Sequence, residues 1–218
     1  MNKKIQIILL AIALLTACDD NRRINREDYE SGRRDREVRK VNEAEVTQKA
    51  FEMGDEISTA AQQELLATLT KVIEESGVAG AVEFCNLEAL PLLESVGQKY
   101  NAKIRRVSNR YRNPNDRPDQ DEEMLLSAYE YNVDNDIKSE PNIQKIENDQ
   151  VLLYTKAITI PSQLCLNCHG DPESDIAPDV LAKINQLYPQ DKATGHTEGD
   201  LRGMWSIRLP KKEVIKNL

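Results

Sequence analysis

Residues 151–170, VLLYTKAITIPSQLCLNCHG, hold the two patterns from which the rest of the chain can be read. Val151–Ile158 is an apolar run of strand length, and Asn148-Asp149-Gln150 separates it from Ile143–Glu147, so the spacing predicts a hairpin. Cys165-Leu166-Asn167-Cys168-His169 follows, a C-x-x-C-H sequence of the kind that attaches c-type haem. Two residues between the thiols, on a helical turn, let both sulfurs reach the two vinyl groups of one porphyrin. The adjacent imidazole then lies under the iron and supplies an axial nitrogen. A thioredoxin-like redox pair, a structural disulfide and a zinc site are the other readings. Gly170-Asp171-Pro172 breaks the helix a redox pair would open, and zinc would find few further Cys or His ligands.

Outward from this segment, helices and strands alternate. Val46, Ala50, Met53, Ile57, Ala61, Leu65, Leu69 and Val72 recur every three or four residues from Glu43, which predicts a long helix. Gly54 is its expected weak point and Gly77 its expected stop. A second helical stretch puts Val78, Val82 and Cys85 on one face, and a third starts near Pro91 with Leu92, Leu93, Val96 and Tyr100. Lys103–Ser108 is a short strand before a polar loop, Asn109–Gln120. Asp119–Tyr131 is a helix that opens on acids, as its dipole favours. Val180–Tyr188 is a helix stopped by Pro189. Arg202–Leu209 is a strand, and Lys211–Leu218 begins a last helix. The class is α+β.

At the other end of the chain, Met-Asn-Lys-Lys precedes an eleven-residue apolar run, Ile5–Leu15. A membrane-spanning helix needs about 20 residues, so this run is the core of an export signal. It ends in Leu15-Thr16-Ala17-Cys18, which resembles a bacterial lipobox, so Cys18 is the expected lipidation site and new N-terminus. Residues 1–17 are then the signal peptide and 18–42 a lipidated, charged tether. In that tether arginines and acids interleave with almost no apolar residues, a composition that buries no core. Residues 43–218 form the folded domain. Haem c is attached outside the cytoplasm, so the two ends of the chain agree. The expected location is the periplasm or cell envelope, anchored to but not crossing the membrane.

Lysine and arginine number 29 against 37 acids, a net charge of −8, which argues against a nucleic-acid partner. Aromatic residues are only 5%, which makes for a lean core that a bound cofactor can fill out. Cys85 is the cysteine left over. By spacing alone it is a buried small hydrophobe or a distal iron ligand. His196 is a rival distal ligand in a polar run where exposure is expected. Met53, Met124 and Met204 are further rivals, each expected in the core. Arg106 and Arg112 could fork onto haem propionates, or serve structure by bonding backbone carbonyls. Arg105 and Arg110 are expected to face solvent.

The ordered set of residues carries a family resemblance. Its marks are Ala81-Val82-Glu83-Phe84-Cys85, Arg106-Val107-Ser108, Arg112-Asn113-Pro114-Asn115, Pro118, Glu122 and Cys165–Gly170. Tyr188-Pro189, Asp191, Ala193, Gly195, Gly199, Asp200 and Gly203 complete it. Over about Ala44–Leu209 the chain resembles exported monohaem c-type domains with a PAS-like fold, found in cyanobacterial haem proteins and ahead of bacterial signalling modules. The resemblance implies an antiparallel sheet with a long N-terminal helix and flanking helices around one covalently bound haem. It implies thioethers to Cys165 and Cys168, and iron ligation by His169 and by Cys85 as thiolate. It also sets an expectation from a departure: this chain ends soon after the last strand, so no output domain is expected in it.

Six-coordinate iron leaves no open position for substrate, so an enzyme is not expected. Two classes remain, each needing a redox or signalling partner not named by the sequence. One is a sensor of redox state or small gases in which a soft thiolate leaves the iron. The other is a low-potential electron carrier on a tether. A thiol-disulfide oxidoreductase using Cys165 and Cys168 is the third reading.

Overall fold

The computed structural model describes residues 41–218. The expected signal peptide 1–17, Cys18 and all but the last two residues of the tether lie outside them. Among the described residues no helix is long and apolar enough to cross a membrane.

Helix α1 spans Glu43–Leu87. Asn42 caps it, its side chain accepting from the Ala44 N–H at 3.0 Å, and Glu43 and Glu45 suit the positive end of the dipole. The predicted stop at Gly77 is a kink instead. Gly77 takes φ 70°, ψ 179°, a conformation that only glycine adopts freely, and the helix resumes at Val78. Helix α2, Ala89–Lys99, follows after Glu88 and carries Pro91 in its first turn, where a missing N–H leaves no intrahelical bond broken.

Four strands form one sheet: β1 (Lys103–Val107), β2 (Asn142–Ile146), β3 (Val151–Thr159) and β4 (Leu201–Pro210). Their order is β1-β4-β3-β2 and every neighbour is antiparallel, with Ile104 opposite Ile207 and Tyr154 opposite Ile207 from the other side. The β2–β3 hairpin turns where predicted, with Glu147, Asn148 and Asp149 at positive φ.

Side chains alternate across the sheet. Leu152, Tyr154, Trp205, Ile207 and Leu209 meet the α1 ladder of Val46, Ala50, Met53, Ile57 and Ala61. Gly54 is therefore not a weak point but a contact: a Cβ there would sit 2.2 Å from the Tyr154 ring. On the opposite face Val107 and Met204 pack with Leu126 and Tyr129 of α3 (Gln120–Asp134). A capping box between Asp119 and Glu122 opens α3. The buried Glu122 carboxylate also accepts from Ser206 Oγ at 2.6 Å, with Arg105 and Arg208 each 3.6 Å away. Helices α4 (Gln163–His169), α5 (Pro178–Leu187) and α6 (Lys211–Lys216) complete the domain. α5 packs Val180 and Ile184 against Val82, beyond the kink in α1. The architecture is the expected α+β one, a long N-terminal helix on a four-stranded antiparallel sheet.

Candidate functional site

The C-x-x-C-H residues occupy α4, which Gly170 ends by donating its N–H to Leu166 O at 2.8 Å. A side chain at Gly170 would press on Asp175 and the Leu166 carbonyl, so the sharp exit from α4 requires glycine. Cys165 and Cys168 lie one helical turn apart and line a cavity of about 190 Å³ together with His169. That is larger than the ~150 Å³ apolar cavity that admits benzene. Cys85 lines the same cavity from α1, beyond the kink, beside Ala81 and Val82. The other walls are the end of β3 at Ile158, Tyr188, and the start of β4 at Arg202 and Gly203.

His169 donates from Nδ1 to the Ala193 carbonyl at 2.8 Å, which leaves Nε2 as the lone-pair nitrogen. The surface it keeps open faces the cavity. Burial first, then Arg202 and Arg112, drives its pKa well below the usual imidazole value, so the ring is neutral and able to bind a metal. Burial pushes the Cys85 thiol up while Arg106 and Arg112 pull it down. Burial likewise pushes Cys168 up to about 11. A redox-active thiol needs the opposite, a pKa lowered towards neutral pH, so Cys85 and Cys168 are poor nucleophiles as they stand. Cys85, Cys165 and Cys168 are all free thiols. Among the described residues no group of three or more His, Cys, Asp or Glu side chains is placed to hold a bare metal ion.

The distal rivals are not at the cavity. His196 is 1% exposed, not a loop-surface residue. Its ring stands at 84° to that of His169 with centroids 6.3 Å apart, and the His196 backbone N–H donates to the His169 carbonyl at 2.8 Å. It thus sits beside His169, and burial, Arg110 and Arg202 hold its pKa down to about 4. The 3.8 Å approach of Asp200 is therefore to a neutral ring. Met53 lies in the α1–sheet core and Met204 under α3. Met124, expected in the core, is 81% exposed, because it falls on the outer face of α3.

The arginines divide. Arg112 gives Nε to Asp191 Oδ1 at 3.0 Å and Nη2 to Cys168 O at 2.6 Å, the structural bond weighed for it in the sequence. Arg106 lines the cavity, and none of the described residues accepts a hydrogen bond from it. Arg110 is half-buried rather than facing solvent, and Arg105 faces it only in part, its side chain 32% exposed. Arg105 bonds Asn115 O at 3.0 Å, and Arg110 bonds His196 Nδ1 at 3.0 Å and the Thr194 carbonyl. Two cavity residues were missed from sequence. Asp116 is buried on the short 3₁₀ turn Pro114–Asp116, and Arg202 stands at the start of β4. Their signal was a charge beside an apolar strand and a charge in a Pro-Asn-Asp turn, which is also how solvent-facing charges look.

A family model matches residues 29–210. The chain belongs to the Tll0287-like family. Among solved structures this family member is similar to the crystal structure of the cyanobacterial heme-protein Tll0287. The two are 24% identical over 72% of this chain and 95% of that one, with a TM-score of 0.42. No curated protein matches the chain.

Proposed function

We propose that this chain is a monohaem c-type protein of the cell envelope. In it Cys165 and Cys168 would carry the porphyrin as thioethers, and His169 nitrogen and Cys85 sulfur would hold its iron. The observation that carries the reading is the meeting of these four side chains, from two distant segments, at one apolar-walled cavity with arginines along it. The donor set fits the group. The two thiols are one turn apart, the imidazole is neutral with Nε2 uncommitted, and the walls are aliphatic. Membership of a family that includes a heme-protein supports it further. The haem supplies one-electron chemistry and binding of small gases at iron. The chain's own residues hold it, exclude water from it and bias its two oxidation states.

The role favoured is a non-enzymatic redox or gas sensor acting through a separate protein partner. It would be held at the membrane by lipid on Cys18 and would have no nucleic-acid role. Support comes from the position of Cys85. It rides on Val78–Leu87, the part of α1 joined to the rest through Gly77, and no heavy atom lies within 4 Å of a Cβ built at that glycine. A Cys85 side chain that held the metal in one oxidation state and not the other would thereby act on a segment that has a hinge. A second reading, electron exchange without ligand change, draws on Leu66 and Leu164. They are 39% and 47% exposed at the cavity wall, an apolar rim of the kind a transient redox partner can touch.

Optical and EPR spectra of the full chain, matured with haem c machinery, test the site. Haem absorbance should survive denaturation, and a low-spin thiolate signal should vanish in Cys85→Ala. An unchanged spectrum in that variant overturns the Cys85 assignment. CO uptake by the reduced protein selects the sensor; retention of the thiolate signature with no CO uptake selects the carrier.

A further inference from the structure

Four arginines surround the turn that bears Cys168 and His169, and two of them are already committed. Arg112 holds Asp191 and the Cys168 carbonyl. Arg110 holds His196 and the Thr194 carbonyl. Both thereby fasten the 191–196 loop, whose Ala193 carbonyl takes the His169 Nδ1 proton. Arg106 and Arg202 remain. Arg106 pairs in register with Trp205 on β4, which places it on the strand next to the one that Arg202 begins. Both line the cavity.

Among the described residues Arg202 makes one side-chain hydrogen bond, Nη1 to Arg110 O at 3.1 Å. Its pKa is drawn down to about 9 by burial and by the neighbouring Arg106 and Arg112, with Asp116 and Asp191 only partly opposing them. Asp191 is spent on Arg112. Asp116 is the one acidic residue on the cavity wall, and burial pushes its own pKa up against the arginines. Two guanidinium groups thus line the cavity, with Asp116 the acidic residue among the described lining residues. A half-buried guanidinium short of acceptors is relieved by a carboxylate in fork geometry.

We propose that Arg202, with Arg106, forms a carboxylate subsite in the cavity wall, and that this subsite receives the propionate groups of the porphyrin. Of the two candidates from sequence, Arg106 is kept and Arg112 instead positions the loop behind His169. The assignment rests on the haem reading above, and the two fail in different ways.

The test uses the full chain matured with covalent haem, comparing wild type with Arg202→Gln, Arg202→Lys and Arg112→Gln. Readouts are the absorbance that survives denaturation, the propionate bending band in resonance Raman spectra, and the reduction potential. Arg202→Gln is expected to keep covalent haem and the axial EPR signature, to shift the propionate band, and to lower the potential. The sign follows because loss of a nearby positive charge favours the oxidised, more positive centre. Arg202→Lys keeps the charge but not the fork, so its band shifts while its potential stays nearer wild type. Arg112→Gln is expected to alter the EPR signature more than the band. Covalent haem with an unshifted band and potential in Arg202→Gln overturns the subsite, as does a larger band shift in Arg112→Gln. If Arg202→Gln does not accumulate, an unshifted band in Arg202→Lys overturns it alone. Wild type without covalent haem overturns the parent reading and the subsite together.

Discussion

Along its length, helix α1 meets different company. As far as Ala61, Val46, Ala50, Ile57 and Ala61 are wholly buried against Leu152, Tyr154 and Ile207, so the space between helix and sheet is filled by the chain itself. From Gln62 onward, Leu65 and Leu69 and, past Gly77, Ala81, Val82 and Cys85 face a cavity, and the charged groups around that cavity are arginines in excess of acids. The periodicity of apolar residues is similar in both halves. What differs is the opposite wall: an alternating sheet in one case, a short helix of thiols and a charged strand end in the other. An amphipathic stripe therefore marks a face that must be covered and leaves open whether protein or ligand covers it.

The largest effect that could break this comparison comes from removing both attachment thiols. Cys165→Ala/Cys168→Ala should abolish absorbance that survives denaturation. Amide protection should then fall in Val78–Leu87 and Gln163–Leu187 while β3, β4 and residues 46–61 keep theirs. Hydrogen exchange followed by mass spectrometry reads both halves at once, and a uniform loss would show that they are one cooperative unit. Next in size are the two glycines of α1, needed for opposite reasons. Gly54→Ala drives a methyl into the Tyr154 ring and should destabilise by about 1–3 kcal/mol in urea unfolding. Gly77→Ala meets no neighbour but places a side chain at φ 70°. It should cost about 1–2 kcal/mol and disturb the spectrum of the Cys85 ligand, which Gly54→Ala should leave alone.

The smallest effect is acid dependence at the core end. Lys156 Nζ lies 2.6 Å from Asp55 Oδ1 and holds its pKa below the usual 3.8. A carboxyl lowered by folding adds stability that is complete above the unfolded value and is lost as pH falls through the folded one. Melting temperature should therefore drop slightly faster below pH 3.8 in wild type than in Asp55→Asn. The difference is small because the Asp55 side chain is 59% exposed. Equal slopes would remove this pair from the account.

Local pattern made much of the fold legible. The hairpin around Asn148 and the acid-opened α3 rest on contacts near in sequence. Gly54 was misread because its reason, Tyr154, lies a hundred residues away. His196 was misread because its polar neighbours face outward while its ring turns inward to Arg110. Arg110 was misread likewise, since a guanidinium that reaches a carbonyl from a polar loop leaves no trace in composition. At the candidate site the C-x-x-C-H spacing was readable from α4 alone, whereas Arg202 required knowing that β4 lies between β1 and β3.

That strand order governs the sequence of assembly. β4 is the last of the four strands to be synthesised, yet it is the only partner of β1 and an inner neighbour of β3. Until residues 201–210 emerge, the sheet lacks its middle, the loop that grips His169 has nothing to fold onto, and Cys165 and Cys168 stand on an open, accessible stretch. On the reading proposed above, a modifying enzyme would meet both sulfurs on a chain without a finished pocket, and arrival of the final strand would shut the door behind whatever had been attached.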